Sequence, residues 1–112
     1  MYRVEFSEHA DHEMIEISDY IYDESGSVET AIKIVSDLTN RITDRLSRFP
    51  NSGLVEFVSE SGVVYRQIVV GNYYIIYRIE ENKEETFVIV TNVIHHKRNK
   101  DMLIEQDYKA AK

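Results

Sequence analysis

Apolar residues recur at helical spacing near the start of the chain. Four of them fall three or four positions apart and would share one face of a helix: Ala10, Met14, Ile17 and Ile21. Ser7 is a suitable N-cap, and Gly26 suits the left-handed conformation that often ends a helix. The pattern therefore predicts an amphipathic helix between these two residues.

A second and clearer apolar stripe follows. Its members again share one helical face: Ala31, Ile34, Val35, Leu38, Ile42 and Leu46. Ser27 can cap the start of this helix, and Pro50 stops it. Because the break between the two helices is so short, we expect them to pack as an antiparallel hairpin. Each helix has only one apolar stripe, so the pair is expected to pack over a β-sheet that buries these stripes.

The rest of the chain changes to short runs of β-branched and aromatic residues, which predict strands over 63–70, 73–79 and 86–94. Residues 2–6 have the same character and predict a further strand. We therefore predict an α+β fold of order β-α-α-β-β-β, with the helical hairpin on one face of a mainly antiparallel four-stranded sheet.

The sequence also predicts two short elements and the number of domains. Residues 54–58 form a short extended piece, and residues 101–108 form a short terminal helix. No repeat, linker or low-complexity tract interrupts the sequence, so residues 1–112 are expected to form a single domain.

The dipeptide Gly71-Asn72 is a two-residue hairpin signal that sets the register of the strands on either side. It places Val70 opposite Tyr73 and, counting back, Arg66 opposite Tyr77. These residues lie on the more apolar face of the hairpin, which we expect to pack against the helices.

The other face of the hairpin is expected to be exposed or to bind a partner, and it carries Tyr65, Gln67, Tyr74 and Arg78. In the last strand, simple alternation puts five residues on one side: Phe87, Ile89, Thr91, Val93 and His95. His96 would then point the opposite way.

The net charge of −7 argues against a general phosphate-binding surface. Residues 1–25 contain one arginine and eight acidic residues, whereas residues 95–100 read His-His-Lys-Arg-Asn-Lys. An anionic partner is therefore expected at the second segment. The sequence has no cysteine, no secretory signal and no apolar run of about 20 residues, so we expect a cytoplasmic protein without a membrane partner.

Over residues 2–100, the order of elements and several short motifs resemble toxins of the RelE/ParE superfamily. The motifs are Val4-Glu5-Phe6-Ser7 with Ala10, Ile17-Ser18-Asp19-Tyr20-Ile21, Leu46 with Pro50 and Gly53, Tyr65-Arg66, Val70-Gly71-Asn72-Tyr73, Ile76-Tyr77-Arg78, and Val93-Ile94-His95-His96-Lys97-Arg98. The resemblance implies a cognate antitoxin as partner, and DNA gyrase or the ribosome as target. It leaves open a homodimer or a heterotetramer with the antitoxin.

In the members that cleave mRNA on the ribosome, the resemblance implies basic residues on the first meander strand, an arginine early in the second, and a C-terminal tyrosine. Arg66 fills one of these positions, and His95 is a candidate acid or base. However, Ile68 and Tyr74 stand where further basic residues are expected, and Leu103 stands in the stretch where the tyrosine is expected. These departures favour the ParE branch, which inhibits gyrase by binding it.

Our hypothesis is a ParE-like toxin of the plasmid-stabilisation type, with no cofactor and no metal site. Its candidate target-binding residues are Tyr65, Tyr74, Arg78, His96, Lys97 and Arg98. One alternative is a RelE-like, metal-independent endoribonuclease that uses Arg66 and His95. Another is a degenerate member of the superfamily that only binds a protein partner.

Overall fold

A computed structural model describes residues 2–96 of the protein. The elements, in chain order, are β1 (Arg3–Phe6), α1 (Glu8–Ser25), α2 (Val28–Arg48), β2 (Leu54–Val58), β3 (Val64–Val70), β4 (Tyr73–Glu81) and β5 (Thr86–His95). The short helix predicted over residues 101–108 lies outside the described residues.

Both helices begin and end where the sequence predicts. The Ser7 hydroxyl accepts the backbone N–H of Ala10 at 3.0 Å, and the Ser27 hydroxyl accepts that of Thr30 at 3.1 Å. Each serine thus satisfies one of the N–H groups that a helix start leaves without an intrahelical partner. Gly26 has φ 67°, a left-handed conformation that costs glycine little, and it ends α1.

The five strands form one sheet in the order β1-β5-β4-β3-β2. β1 runs parallel to β5, and the other neighbours are antiparallel. The predicted α+β class and helical hairpin are confirmed. The sheet has one strand more than predicted because β2 is hydrogen-bonded along β3, with Leu54 opposite Gln67 and Val58 opposite Val64.

The main core lies between the helical hairpin and one face of the sheet. Its buried members are Ala10, Met14, Leu38, Ile42, Leu46, Ile68, Val70, Ile75, Tyr77, Val88, Val90 and Val93. The predicted helix faces supply most of the helical part. Ile34 is an exception, since it remains 43% exposed, and Glu13 of α1 is buried although it was not predicted to be.

The predicted hairpin register is confirmed from Val70–Tyr73 to Arg66–Tyr77. The predicted alternation of β5 is wrong, because Ile76 pairs with Asn92 while Tyr77 pairs with Val90. Thr91 is therefore an extra residue in a β-bulge.

The bulge changes which β5 side chains face the helices. Before it, Val88 and Val90 join the main core, so Phe87 and Ile89 point the other way. After it, Val93 faces the helices, although simple alternation would put it on the same side as Phe87 and Ile89. The one-residue insertion thus lets even-numbered residues of one half and odd-numbered residues of the other share a face.

Candidate functional site

The side of the sheet that faces the helices has two ends of different character. At one end, the closed end, the side chain of Tyr77 is buried. The Tyr77 hydroxyl donates to the carbonyl oxygen of Pro50 at 2.6 Å and accepts the backbone N–H of Gly53 at 3.0 Å. Arg66, opposite Tyr77 on β3, donates through Nη1 to the carbonyl oxygen of Gly53 at 3.0 Å. These bonds tie the segment that links α2 and β2 to the middle of the sheet.

Burial also changes the acidity of the Tyr77 phenol. Removal from water raises the pKa of the phenol above 10.0, while the hydrogen bond with Gly53 and the nearby charges of Arg66 and Arg45 act in the opposite direction. The neutral phenol is therefore the form that the fold holds, and it can both donate and accept. Arg66, the first candidate catalytic residue, is engaged in this closed structure.

The opposite end of the same side is open. Beyond Val90, β5 has no β1 residue beside it, because the β1 ladder ends at the Phe6–Val90 pair. Helix α1 covers this part of β5 instead, and the buried carboxylate of Glu13 accepts the backbone N–H of Val93 at 2.9 Å. A side chain from the helix thus replaces a missing strand partner.

A cavity of ≈ 250 Å³ lies between α1 and this end of the sheet. It is lined by Glu13, Glu16, Ile17, Tyr20, Tyr73, Val93 and His95. The four α1 residues are spaced so that they share one face of the helix. His95 pairs with Tyr73 across the strands, and their rings meet edge to face with centroids 5.4 Å apart.

The two candidate catalytic residues therefore do not come together. Arg66 pairs with Tyr77, and His95 pairs with Tyr73, on opposite sides of β4 and four residues apart along it. Standard strand dimensions separate their Cα atoms by roughly 16 Å. Sequence reasoning correctly placed Arg66 on the side of the sheet that faces the helices, but it did not predict which side His95 faces or how far apart the two residues lie.

On the face away from the helices, a second and smaller cluster buries Tyr65, Ile76 and Ile94. Tyr65 is only 5% exposed and stacks on Phe57 with ring centroids 4.6 Å apart. The expectation that Tyr65 would lie on an exposed surface is therefore not met, because Phe57 of the additional strand β2 packs beside it. Tyr74 packs against the same cluster and is half-buried.

The other candidate target-binding residues lie at two places. Arg78 forms an ion pair with Glu80 of its own strand at 3.2 Å. The β3–β4 ladder ends at the Arg66–Tyr77 pair, so Arg78 has no ladder partner on β3. His96 donates its backbone N–H to Asn72 at 2.9 Å and stacks on His95 with centroids 4.6 Å apart. Lys97 and Arg98 lie outside the described residues.

Sequence reasoning missed most of the cavity around His95. Glu13, Glu16 and Tyr20 lie outside the apolar stripe predicted for α1. Their spacing of three and four residues, which continues through Ile17, was the available signal. Tyr73 was placed on the correct face but was not recognised as a cavity residue. Burial raises the pKa of Tyr73 above 10.0, and the neighbouring Tyr20 phenol adds to this effect.

Residues 2–96 contain neither a metal-binding cluster nor a helix that could span a membrane. No group of three or more histidine or carboxylate side chains in this part of the chain is placed to hold a metal ion. Neither of its helices is long and apolar enough to cross a membrane.

Comparison with known proteins gives results for the family and for the fold. The family model described as "ParE toxin of type II toxin-antitoxin system, parDE" matches residues 4–100. A search of curated protein sequences gives no significant match.

Two solved structures share the fold at low sequence identity. One is the chromosomal ParDE toxin–antitoxin system from P. aeruginosa, with TM-score 0.59 and 18% identity, over 85% of this chain and 96% of that one. The other is the RelBE2 toxin–antitoxin complex from Mycobacterium tuberculosis, with TM-score 0.55 and 22% identity, over 84% and 96% of the two chains. With the family match over most of its length, the chain belongs to the ParE toxins of type II toxin–antitoxin systems, within the RelE/ParE superfamily.

Proposed function

We propose that this toxin arrests growth by binding DNA gyrase in the cytoplasm, and that a cognate antitoxin neutralises it by covering its surface. The family match supports the first part, because the ParE branch is the one expected to bind gyrase and not to cut mRNA. The two structural neighbours come from toxin–antitoxin complexes and support the second part.

The observation that carries the proposal is the separation of Arg66 from His95. Cleavage of RNA without a metal requires an acid, a base and a stabilising cation around one phosphate. The Cα atoms of Arg66 and His95 lie roughly 16 Å apart by strand dimensions. The Arg66 guanidinium is bonded to Gly53, which precedes β2 on the side of β3 away from β5, so it does not share a phosphate site with His95. Arg66 also holds the Gly53 carbonyl at 3.0 Å, so its role in the fold accounts for its position.

We further propose that the gyrase-binding surface includes Tyr74, Arg78 and His96, continued by Lys97 and Arg98. Tyr65 would support this surface from below, since it is buried beside Phe57. Arg78 is partly exposed, and its ion pair with Glu80 is of the kind that contributes little to stability. It can therefore exchange Glu80 for a carboxylate of the target at small cost.

Exposed apolar residues on the helical hairpin support the proposed antitoxin contact. Ile15 is 58% exposed on α1, and Val28 and Ile32 are each 59% exposed on α2. Removing such residues from water in a complex is favourable and stabilises the contact with a partner. An antitoxin segment that lies along the hairpin would bury them.

The test is inhibition of gyrase by the purified protein, followed by supercoiling of relaxed plasmid and by the yield of cleaved DNA complexes. We expect supercoiling to fall and cleaved complexes to accumulate. Arg78→Glu should require at least a tenfold higher protein concentration. Arg48→Glu is the matched control, because Arg48 also forms an exposed ion pair within its own element, with Asp44 at 3.2 Å, and it should behave as the wild type.

Gyrase that keeps its supercoiling activity and forms no additional cleaved complexes would contradict the proposal. Equal loss of inhibition in Arg78→Glu and Arg48→Glu would contradict the proposed surface but leave gyrase as the target. Thermal unfolding of both variants would show that each is folded.

A further inference from the structure

The cavity between α1 and the end of β4 and β5 has a lining of two chemical types. Ile17 and Val93 are apolar, and Tyr20 and Tyr73 offer aromatic rings. The same cavity is bordered by two carboxylates, Glu13 and Glu16. An apolar and aromatic wall beside carboxylates suits a cation carried on an aliphatic stem.

The acidic part of the lining is built into the fold. Glu13 is 7% exposed, and its Oε1 accepts the Val93 N–H at 2.9 Å and lies 3.5 Å from His9 Nε2. The hydrogen bond from the backbone holds the carboxylate at the base of the cavity. Because the residue is largely removed from water, its charge acts on a nearby group with less screening than at the surface.

The aromatic part is also fixed in place. Tyr73 packs against the main core, and its ring meets that of His95 edge to face. Tyr20 lies at the rim and is 64% exposed. Both phenols line the same cavity, so an inserted group would meet both rings.

The size of the cavity limits what it can accept. At ≈ 250 Å³ it is smaller than the about 300–1,000 Å³ of sites for drug-sized ligands. A single side chain is a better match than a nucleotide or a large cofactor. A phosphate group is disfavoured by the two carboxylates, whereas a cationic group complements them.

We propose that this cavity binds the guanidinium group of an arginine side chain, presented by a segment of a partner protein that lies over α1 and the end of the sheet. Arginine fits better than lysine because its planar group stacks on tyrosine rings, pairs with carboxylates and is more weakly hydrated. The bulge at Thr91 is what makes the site, since it turns Val93 and His95 toward α1. The inference concerns a protein contact and does not depend on gyrase being the target.

The probe is the tripeptide acetyl-Leu-Arg-Leu-amide, titrated into the full ¹⁵N-labelled chain at about pH 8, where an ordinary imidazole is neutral. Acetyl-Leu-citrulline-Leu-amide is the control, since citrulline has nearly the same shape without the charge. We expect saturable amide shifts along residues 13–20 and at Tyr73 and Val93. The citrulline peptide should bind at least fivefold more weakly.

Variants on α1 provide the second arm. Tyr20→Ala and Glu16→Gln should each weaken binding of the arginine peptide by about fivefold or more, the effect of losing one stacking or charge contact of about 1 kcal/mol. Tyr22→Ala and Glu24→Gln, exposed on the same helix outside the cavity, should leave it unchanged.

Three results would overturn the proposal. They are equal binding of the arginine and citrulline peptides, shifts confined to another surface, and equal loss of binding in the cavity variants and their controls. A lysine peptide that binds as well as the arginine peptide would reject the assignment to arginine. None of these results bears on gyrase inhibition, so the two proposals fail independently.

Discussion

The two ends of the sheet face that packs against the helices contain similar residue types, but these residues have different roles. At one end, Tyr77 and Arg66 direct their polar atoms into the protein and bind the backbone around Pro50 and Gly53. At the other end, Tyr73 lines a cavity beside α1. From residue types alone, both ends would be candidate functional sites.

The difference shows that the partner of a polar group decides its role. The Tyr77 hydroxyl is buried with a backbone donor and a backbone acceptor, which is how buried polar groups are normally satisfied. Residues held in this way stabilise the fold and are poor candidates for catalysis. The cavity end presents its side chains toward space that a partner can fill. The following predictions test this contrast, beginning with the largest expected effect.

Gly53→Ala should be the most damaging substitution at the closed end. A Cβ atom at this position would lie 2.5 Å from the Tyr77 hydroxyl and 2.7 Å from the Gln67 carbonyl oxygen. Overpacking and loss of the buried hydrogen bonds should together lower the free energy of unfolding by about 3–5 kcal/mol. Urea denaturation measures this change.

Gly26→Ala is the control for that substitution. A Cβ atom there meets nothing within 4 Å, and only the positive φ of 67° opposes it. A cost of about 1 kcal/mol is expected. If the two variants were equally stable, close packing around Tyr77 would not be what holds this end together.

Tyr77→Phe should have the next largest effect. The substitution keeps the ring but leaves the Gly53 N–H and the Pro50 carbonyl without their partner, both at a buried site. We expect the free energy of unfolding to fall by about 2–4 kcal/mol. Tyr73→Phe, at the cavity end, should cost less than about 1 kcal/mol. Similar losses in the two variants would remove the distinction between the ends.

Arg66→Gln separates a structural arginine from a catalytic one. Loss of the hydrogen bond to the Gly53 carbonyl should lower the free energy of unfolding by about 1–2 kcal/mol. At a temperature where the variant is still folded, growth arrest should persist. Complete loss of toxicity in a folded variant would instead point to a catalytic role and favour the ribonuclease alternative.

The pH dependence of stability gives a smaller but specific test of the Tyr77 site. The folded state raises the pKa of this phenol above the 10.0 of the unfolded chain. The contribution of the neutral phenol to the free energy of unfolding is therefore complete below pH 10. It is lost as the pH rises through the higher pKa of the folded state. The stability difference between wild type and Tyr77→Phe should be constant from about pH 7 to 9 and narrow above pH 10. A difference that widened above pH 10 would contradict this account.

The sequence predicts the local features of the fold well, because short-range chemistry determines them. Ser7, Ser27 and Gly26 can be recognised as caps, and Gly71-Asn72 sets a register that the structure reproduces. The β-bulge is different. Residues 87–94 are apolar except for Thr91 and Asn92, so both faces of the strand look alike. Alternation therefore does not reveal an extra residue at Thr91.

The candidate site is less predictable because it depends on contacts between distant elements. Nothing near Glu13 in the sequence shows that it will accept a hydrogen bond from Val93, eighty residues away. Likewise, the cavity exists because β1 stops at Phe6 and α1 continues over the part of β5 that it leaves uncovered. Residue types identified His95 and Arg66 as candidates, but only the three-dimensional register separates them.

Inducible expression in a bacterium tests the central claim most directly, when wild type and His95→Ala are compared for growth, for the SOS response and for cut mRNA by primer extension. The account predicts filamentous arrest with an SOS response for both proteins, and intact mRNA. Rapid arrest of translation with mRNA cut in the wild type, abolished by His95→Ala, would contradict it and establish a ribonuclease.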